Sequence, residues 1–475
     1  MPQSHKTAFV RPLLKKSSLD PSELSSFRPI SNLSFVSKLL ERLVDNRINE
    51  HINKYSLLPP TQSAYRANHS TETALTRVHN DIVTAIDNGD VATLVLLDLS
   101  AAFDTVDHPI LLDILHDRFG VDGDALNWIR SYLTDRSQIV DLRSSISVAL
   151  PIPCGVPQGS VLGPRQFISY IEEMASIFAK HNVSLYGFAD DMQGLVSSSP
   201  SCINATTTTL TDTVVDVEAN CSSRRLQLNP KKTEVIWFGS ARNLRKLNPS
   251  EMCLNLEGTI IHPVETVRDL GAYFDSEMTM RTHVSKLTRS CFYHLRRLRS
   301  IRRNLDRGVT QRLVSAFVLS RLDYCNVLLA DLPAATIAPL QRVQNAAARL
   351  VLDLKPYDHI THALLTLHWL PIKFRIIYKL CLLVHKSLNN RSPTYLTELF
   401  HPISTIPSKA SLRSSSTRDL VIPKTNLRIG DRAFSVSGPR NWNSLPNELR
   451  CINDENAFKI KLKTYLFKIA FNIVT

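Results

Sequence analysis

Phe188-Ala189-Asp190-Asp191 is the stretch that decides how this chain is read. Two adjacent carboxylates between apolar neighbours are unfavourable unless something compensates their charge. A second acidic stretch lies upstream, Leu97-Asp98-Leu99-Ser100-Ala101-Ala102-Phe103-Asp104. Both follow apolar runs. Val91 to Leu97 (VATLVLL) reads as a strand buried on both faces, and Val183 to Ala189 as a second strand. Ligand-binding groups in mixed α/β folds often sit where strands end. The two acidic stretches are therefore expected to meet in space. Taken alone, Asp98 reads equally well as a strand-end residue and the Asp pair as a hairpin turn.

Carboxylates are hard oxygen ligands suited to Mg²⁺, which keeps waters and binds substrate phosphates. Two such ions a few ångström apart can activate an attacking hydroxyl and stabilise the leaving oxygen of an in-line phosphoryl transfer. The charge balance agrees with a polyanionic partner: 56 Lys+Arg against 43 Asp+Glu, a net +13 over 475 residues. That charge is concentrated. From Arg281 to Arg312 there are ten Lys/Arg and one acid, Asp306. Arg296, Arg297, Arg299, Arg302 and Arg303 are its densest part.

Other classes are excluded. The eight cysteines are scattered without a CxxC or zinc spacing, as in an intracellular protein with reduced thiols. No apolar h-region opens the chain, and no run approaches about 18 apolar residues, so no membrane partner is expected. A nuclear or cytoplasmic site remains.

Along the chain, residues 7–14 read as a strand. Val36, Leu39, Leu40, Leu43, Val44, Ile48 and Ile52 mark an amphipathic helix, and Leu75, Val78, Ile82 and Ile86 a second one ended by Gly89. Asp107 and Pro109 start a helix, and another covers about 125–133. Strand-like residues 139–152 lead to the glycine-flanked loop Gly155-Val156-Pro157-Gln158-Gly159-Ser160, which opens a helix towards Ile171. The Ser/Thr-rich stretch 197–213 reads as a turn or loop. A helix to about Leu228, the strand 235–238, and two or three short strands over 253–275 follow. From 276 to about 390 the chain reads as helical, 402–427 as a linker, and the rest as a small unit anchored by Trp442 and Phe467.

Several motifs stand in one order: Arg28-Pro29-Ile30-Ser31; Gln62-Ser63-Ala64-Tyr65-Arg66; Asp98 to His108; Gly155 to Pro164; the Asp pair; Leu228-Asn229 with Lys231-Lys232-Thr233; and Leu270-Gly271. On these residues, and on Leu322-Asp323-Tyr324-Cys325-Asn326, Leu367-His368-Trp369-Leu370-Pro371 and Gly438-Pro439-Arg440-Asn441-Trp442-Asn443, the chain resembles the reverse transcriptase of LINE-type, jockey-like non-LTR retrotransposons. The resemblance implies an α+β right-hand polymerase, with fingers and palm over 1–275, a basic helical thumb and connection over 276–400, and a linker with a small C-terminal unit over 401–475. It implies RNA-directed DNA synthesis on an RNA template from a DNA primer with dNTPs.

The roles carried over are these. Asp98, Asp190 and Asp191, with the backbone carbonyl of Leu99, would hold two Mg²⁺ ions, Mn²⁺ being a substitute. Phe103 would be the steric gate against a ribose 2′-hydroxyl, although it also reads as an ordinary core phenylalanine. Gln158 and Gly159 would touch the template base pair and incoming nucleotide. Arg66 would neutralise the triphosphate, with help from Arg28. Lys232, or Lys231 beside it, would be the acid for the leaving pyrophosphate, although each also reads as a solvated loop charge. Asp104 and Asp107 read as turn-shaping and capping residues. The 281–312 arginines would track the duplex through its phosphates.

Two places depart from the family pattern: Arg165-Gln166 where an apolar pair is usual, and Met192 where threonine is usual. They support an alternative, a catalytically silent descendant that only binds RNA or RNA–DNA hybrid. With Arg28 only 27 residues from the start, a 5′-truncated copy without the endonuclease domain is expected.

Overall fold

A computed structural model describes the chain except residues 17–18, 101, 143–144, 257, 406–417 and 474–475. It is an α+β protein. The N-terminal strands β1 (Thr7–Leu14) and β2 (Phe27–Asn32) lead into helix α1 (Phe35–Tyr55), α2 (Thr71–Asp87) and strand β3 (Val91–Leu97). Helix α3 (His108–Asp117) follows, then β4 (Ser137–Val140), β5 (Leu150–Pro151), α4 (Gly163–Tyr170), β6 (Ser184–Phe188) and β7 (Asp191–Ser198). After α5 (Ile203–Ser223) come β8 (Glu234–Phe238) and four short strands, β9 (Leu254–Leu256), β10 (Thr259–Ile261), β11 (Thr266–Asp269) and β12 (Ala272–Asp275). The second half is helical, with α6 (Arg281–Ile301), α7 (Ala334–Leu352), α8 (Ile372–Leu388), α9 (Phe434–Asn443) and α10 (Glu455–Ala470) as its main helices. Among the described residues, no helix is long and apolar enough to cross a membrane.

The central sheet has the order β6-β7-β3-β8, with every pair antiparallel. β3 lies inside it and six of its seven residues are buried, as its continuous apolar run predicts. Register places Leu97 opposite Met192. The residue after β3, Asp98, is thereby brought to the β7 end that begins with Asp191. α2 packs against this sheet. Ser70 starts it with a capping box: its hydroxyl accepts the Thr73 N–H, and the Thr73 hydroxyl accepts the Ser70 N–H. A second sheet, β2-β1-β4-β5, stands on the N-terminal side.

Three expectations change. α1 forms where its periodicity puts it, but Val36, Leu39 and Leu43 of its apolar stripe are exposed, at 45%, 50% and 57%. The inward side carries Ser37 and Glu41, both fully buried, and only the later part of the stripe, Val44, Ile48 and the buried Ile52, packs against the core. Glu41 accepts the Ser37 hydroxyl at 2.9 Å and the backbone N–H groups of Val161 and Leu162 at 2.7 and 3.2 Å. That demand for a carboxylate sets the helix phase. The Ser/Thr-rich stretch is not a loop beyond 202. Residues from Ile203 join α5, where Thr208, Thr211 and Thr213 return their hydroxyls to carbonyls four residues back while Leu210, Val214 and Val217 face inward. Residues 253–275 form four strands in two hairpins, β9–β10 and β11–β12.

At the C-terminus, Trp442 is buried as expected and donates to the Arg418 carbonyl at 2.9 Å. Its aromatic neighbour is the buried Phe458, whereas Phe467 is only partly buried. Residues 406–417 of the linker stretch 402–427 lie outside the described residues. One apolar core runs from Leu75 of α2 through α6, α7 and α8 to Leu466 of α10.

Candidate active site

β6 and β7 are joined by the two-residue turn Ala189-Asp190, with Phe188 paired to Asp191. The hairpin reading and the acidic-site reading of this stretch are thus compatible. Ala189 adopts φ +59°, an uncommon conformation for a residue with a Cβ. Its N–H is held at 3.2 Å by the side-chain oxygen of Gln62. The carbonyl of Asp98 accepts the Asn229 N–H at 2.9 Å, and Ser100 donates to the Gln227 carbonyl at 2.8 Å, so the segment after β3 is pinned to the residues before β8. Leu99 is buried in that ladder opposite Leu228.

The three carboxylates feel one another. Burial, then the Asp98 charge, raises the Asp190 pKa. Burial, then the Asp190 and Asp98 charges, pushes Asp191 up to about 6. Lys232 Nζ lies 2.8 Å from Asp98 Oδ2. Asp98, Asp191 and Lys232 open on a cavity of about 560 Å³ that is also lined by Lys231, Asp269 and Gly271. The donors are hard oxygens and the cluster is short of positive charge, which fits a divalent cation. Among the described residues, no three carboxylate, His or Cys groups form a ready cage. Mg²⁺ seldom uses an all-protein cage, since waters and substrate phosphates complete its shell.

The glycine-flanked loop packs against the segment that follows Asp98. Gly155 donates to the Val106 carbonyl at 2.7 Å and Val156 to the Phe103 carbonyl at 2.8 Å. A Cβ on Gly155 would stand 2.8 Å from the Asp104 oxygen, and one on Gly159 (φ +113°) 2.8 Å from the Ser31 oxygen. Both positions require glycine. The Gln158 amide donates to the Asp104 carboxylate at 2.9 and 3.0 Å, while its carbonyl accepts the Ser31 N–H. Asp107 caps α3 by accepting the Ile110 N–H at 3.1 Å. Phe103 is half-buried and stacks on the buried Phe167, ring centres 4.6 Å apart.

Other sequence-selected residues sit as follows. Arg66 is half-buried and donates to the carbonyls of Pro59 and Gln62, at 2.6 and 3.1 Å. Arg296, Arg297, Arg299 and Arg303 are exposed at the end of α6 and just beyond it. Arg302 differs. Its guanidinium donates to the carbonyls of Leu350, Val351 and Leu305, where it satisfies the C-terminal end of α7. Arg165 is matched by an ion pair to Asp45 on α1. Gln166 is buried and neither amide atom finds a partner. Met192 is a core residue packed in the sheet.

Sequence reasoning did not single out Gln62 within its motif, nor Asp269 and Gln193. Asp269 is buried, and its Oδ1 accepts the Gln193 amide at 2.8 Å. Burial, then the Asp191 charge, pushes it up to about 8. Its position beside Leu270-Gly271 was the available signal.

The profile of the family described as reverse transcriptase (RNA-dependent DNA polymerase) matches residues 13–272. The chain belongs to that family. It is 31% identical over 72% of its length to a probable RNA-directed DNA polymerase from transposon BS of Drosophila melanogaster, covering 38% of that protein. It is 27% identical over 60% of its length to the RNA-directed DNA polymerase from mobile element jockey of the same species, covering 31%. A Pol polyprotein from type-1 retrotransposable element R2 of Popillia japonica is 28% identical over 42% of this chain, with 34% of that protein covered. The chain spans about a third of the length of these curated relatives, which bear out the retrotransposon resemblance read from the motifs. Among solved structures, apo telomerase from Candida tropicalis aligns with 76% of this chain and 58% of its own at 10% identity and TM-score 0.43.

Proposed function

We propose that this chain is an RNA-directed DNA polymerase that adds nucleotides to a primer 3′-hydroxyl with two Mg²⁺ or Mn²⁺ ions. The observation that carries this is the register of β3 against β7, which brings Asp98 to Asp190-Asp191 at one cleft in a reverse-transcriptase-family chain. Asp98, Asp190 and Asp191, with the Leu99 carbonyl, would hold the ions. When bound, the ions activate the 3′-hydroxyl and stabilise the leaving oxygen. Lys232 Nζ, released from Asp98, donates the proton to pyrophosphate. Phe103, held against Phe167, excludes a ribose 2′-hydroxyl. Gln158 and Gly159 face the template base pair, and Arg66, with Arg28 nearby, offsets triphosphate charge. In this reading residues 1–275 are fingers and palm, 276–400 the thumb and connection, and 401–475 an appended unit. Arg296, Arg297, Arg299 and Arg303 follow the duplex backbone.

A second reading, a protein that binds RNA or hybrid without catalysis, draws on the unpartnered amide of buried Gln166. The Arg165–Asp45 ion pair weakens it, because the charged departure from the family pattern is compensated. Mg²⁺-dependent extension of a DNA primer on an RNA template separates the two, with Asp190→Asn as control. Extension by the wild type that the variant loses supports the polymerase. Wild-type extension no better than the variant's overturns it.

A further inference from the structure

The loop 61–66 and the helical C-terminal half meet behind the catalytic turn. Gln62 is 7% exposed, and its Oε1 accepts the N–H groups of Ala64 at 3.1 Å and Ala189 at 3.2 Å. The second of these belongs to the positive-φ residue that precedes Asp190. Backbone bonds fasten the same loop to β6: Ser63 donates to the Gly187 carbonyl at 2.8 Å, and Gly187 donates to the Thr61 carbonyl at 3.1 Å. The fit is close, since a Cβ on Gly187 would stand 2.9 Å from Gln62 Nε2.

Tyr395, more than 300 residues away in sequence, reaches this point from the other side. It is 4% exposed. Its hydroxyl lies 2.9 Å from Ser63 Oγ and donates to Thr73 Oγ1 at 3.0 Å. Its carbonyl accepts Arg77 Nη1 at 2.6 Å. Arg77 Nε bonds Asp81 at 2.8 Å, and Asp81 also accepts the hydroxyl of Tyr186. Both ends of Tyr395 therefore lead, through one or two side chains, to β6, the strand that delivers Asp190. Ser63 joins it at Gly187, and Asp81 joins it at Tyr186.

We propose that Gln62 and Tyr395 are positioning residues for the catalytic turn, so that the C-terminal half, together with the sheet, sets where Asp190 sits. The inference rests on the polymerase reading for its kinetic consequence, and its structural consequence is independent of activity. An acceptor removed from beneath a strained, buried N–H leaves the turn free to relax. Local opening of such a segment is read by amide exchange without global unfolding.

The test uses the full chain with Gln62→Met, Tyr395→Phe and Gln62→Glu. Hydrogen exchange is followed by mass spectrometry, and RNA-templated primer extension is titrated with Mg²⁺. Gln62→Met and Tyr395→Phe are expected to speed exchange across 186–191 by about tenfold while 91–97 stays protected. Gln62→Glu, which keeps the acceptor oxygen, restores that protection. In extension, the first two raise the Mg²⁺ midpoint by roughly threefold or more and lower kcat by about 10-fold or more, with KM for dNTP within about twofold. Unchanged exchange across 186–191 in both variants overturns the proposal. So does faster exchange spread evenly over the chain, which marks a merely structural role. A wild type that extends no primer overturns the polymerase reading alone, and the exchange result still decides this one.

Discussion

Asp269 shows what a single buried carboxyl does to this protein. In an unfolded chain it releases its proton near pH 3.8, whereas burial and the Asp191 charge raise the folded value to about 8. Between those values the folded state binds a proton that the unfolded state has released. Stability therefore falls as pH rises from about 4 to about 8 and is level above that. Asp269→Asn keeps the shape and lacks the titration, so its urea midpoint is expected to change less between pH 5 and pH 8.5 than that of the wild type. An identical pH slope in both would show that Asp269 is not the source. Gly159 offers a backbone counterpart. A Cβ there meets the Ser31 oxygen at 2.8 Å in a conformation disfavoured for any L side chain. Gly159→Ala is expected to cost roughly 2 kcal/mol or more in a denaturant titration. The sequence made Asp98, Asp190 and Asp191 legible because adjacent acids after apolar runs are unusual. It hid Gln62 and Asp269, since a lone polar residue shows its importance only through what buries it.

At the level of elements, periodicity told where helices lie better than which way they face. α1 is the clear case. Its apolar stripe is a regular helical pattern, yet Leu39 and Leu43 are exposed because Glu41 is turned inward to satisfy the Val161 and Leu162 N–H groups. A buried unpaired N–H outweighs a few partly buried methyl groups. Glu41→Ala is accordingly expected to lose about 2–4 kcal/mol, measured by chemical denaturation, since it orphans two backbone donors at once. Leu39→Ser, on the exposed side, is expected to stay within about 0.5 kcal/mol of the wild type. Equal effects would mean that the apolar stripe is the buried face. The first half of α5 went unread for a related reason. Its threonines favour turns in isolation, and only the inward apolar row of Leu210, Val214 and Val217 overrides them. β3 was fully legible, because a strand buried on both faces leaves a continuous apolar run.

Over the whole molecule, the order of motifs was legible and the long-range attachments were not. Lys379 pairs with Glu72 at 2.8 Å, Ser435 donates to Asn80 at 2.9 Å, and the Asn426 N–H bonds Asp87 at 3.1 Å. Each joins α2 to the C-terminal half through one polar pair across some 300 residues, and such pairs leave no local pattern. The basic segment was legible as charge, yet its members divide by what the fold asks of them. Arg296, Arg297, Arg299 and Arg303 point to solvent, while Arg302 is spent on the end of α7. Each phosphate contact neutralised by an exposed cation contributes about 0.9 to the slope of log affinity against log salt for duplex DNA. If the four exposed arginines track a duplex, replacing them all by glutamine should flatten that slope by up to about 3.6 for an RNA–DNA hybrid and leave the melting temperature nearly unchanged. Arg302→Gln should do the reverse: the slope holds, and stability drops by roughly 1–3 kcal/mol as three carbonyls lose their donor. Hybrid binding measured by fluorescence anisotropy from 50 to 400 mM salt, beside thermal melts of both variants, reads the two effects apart. An unaltered slope in the fourfold variant would remove the duplex from this face of α6.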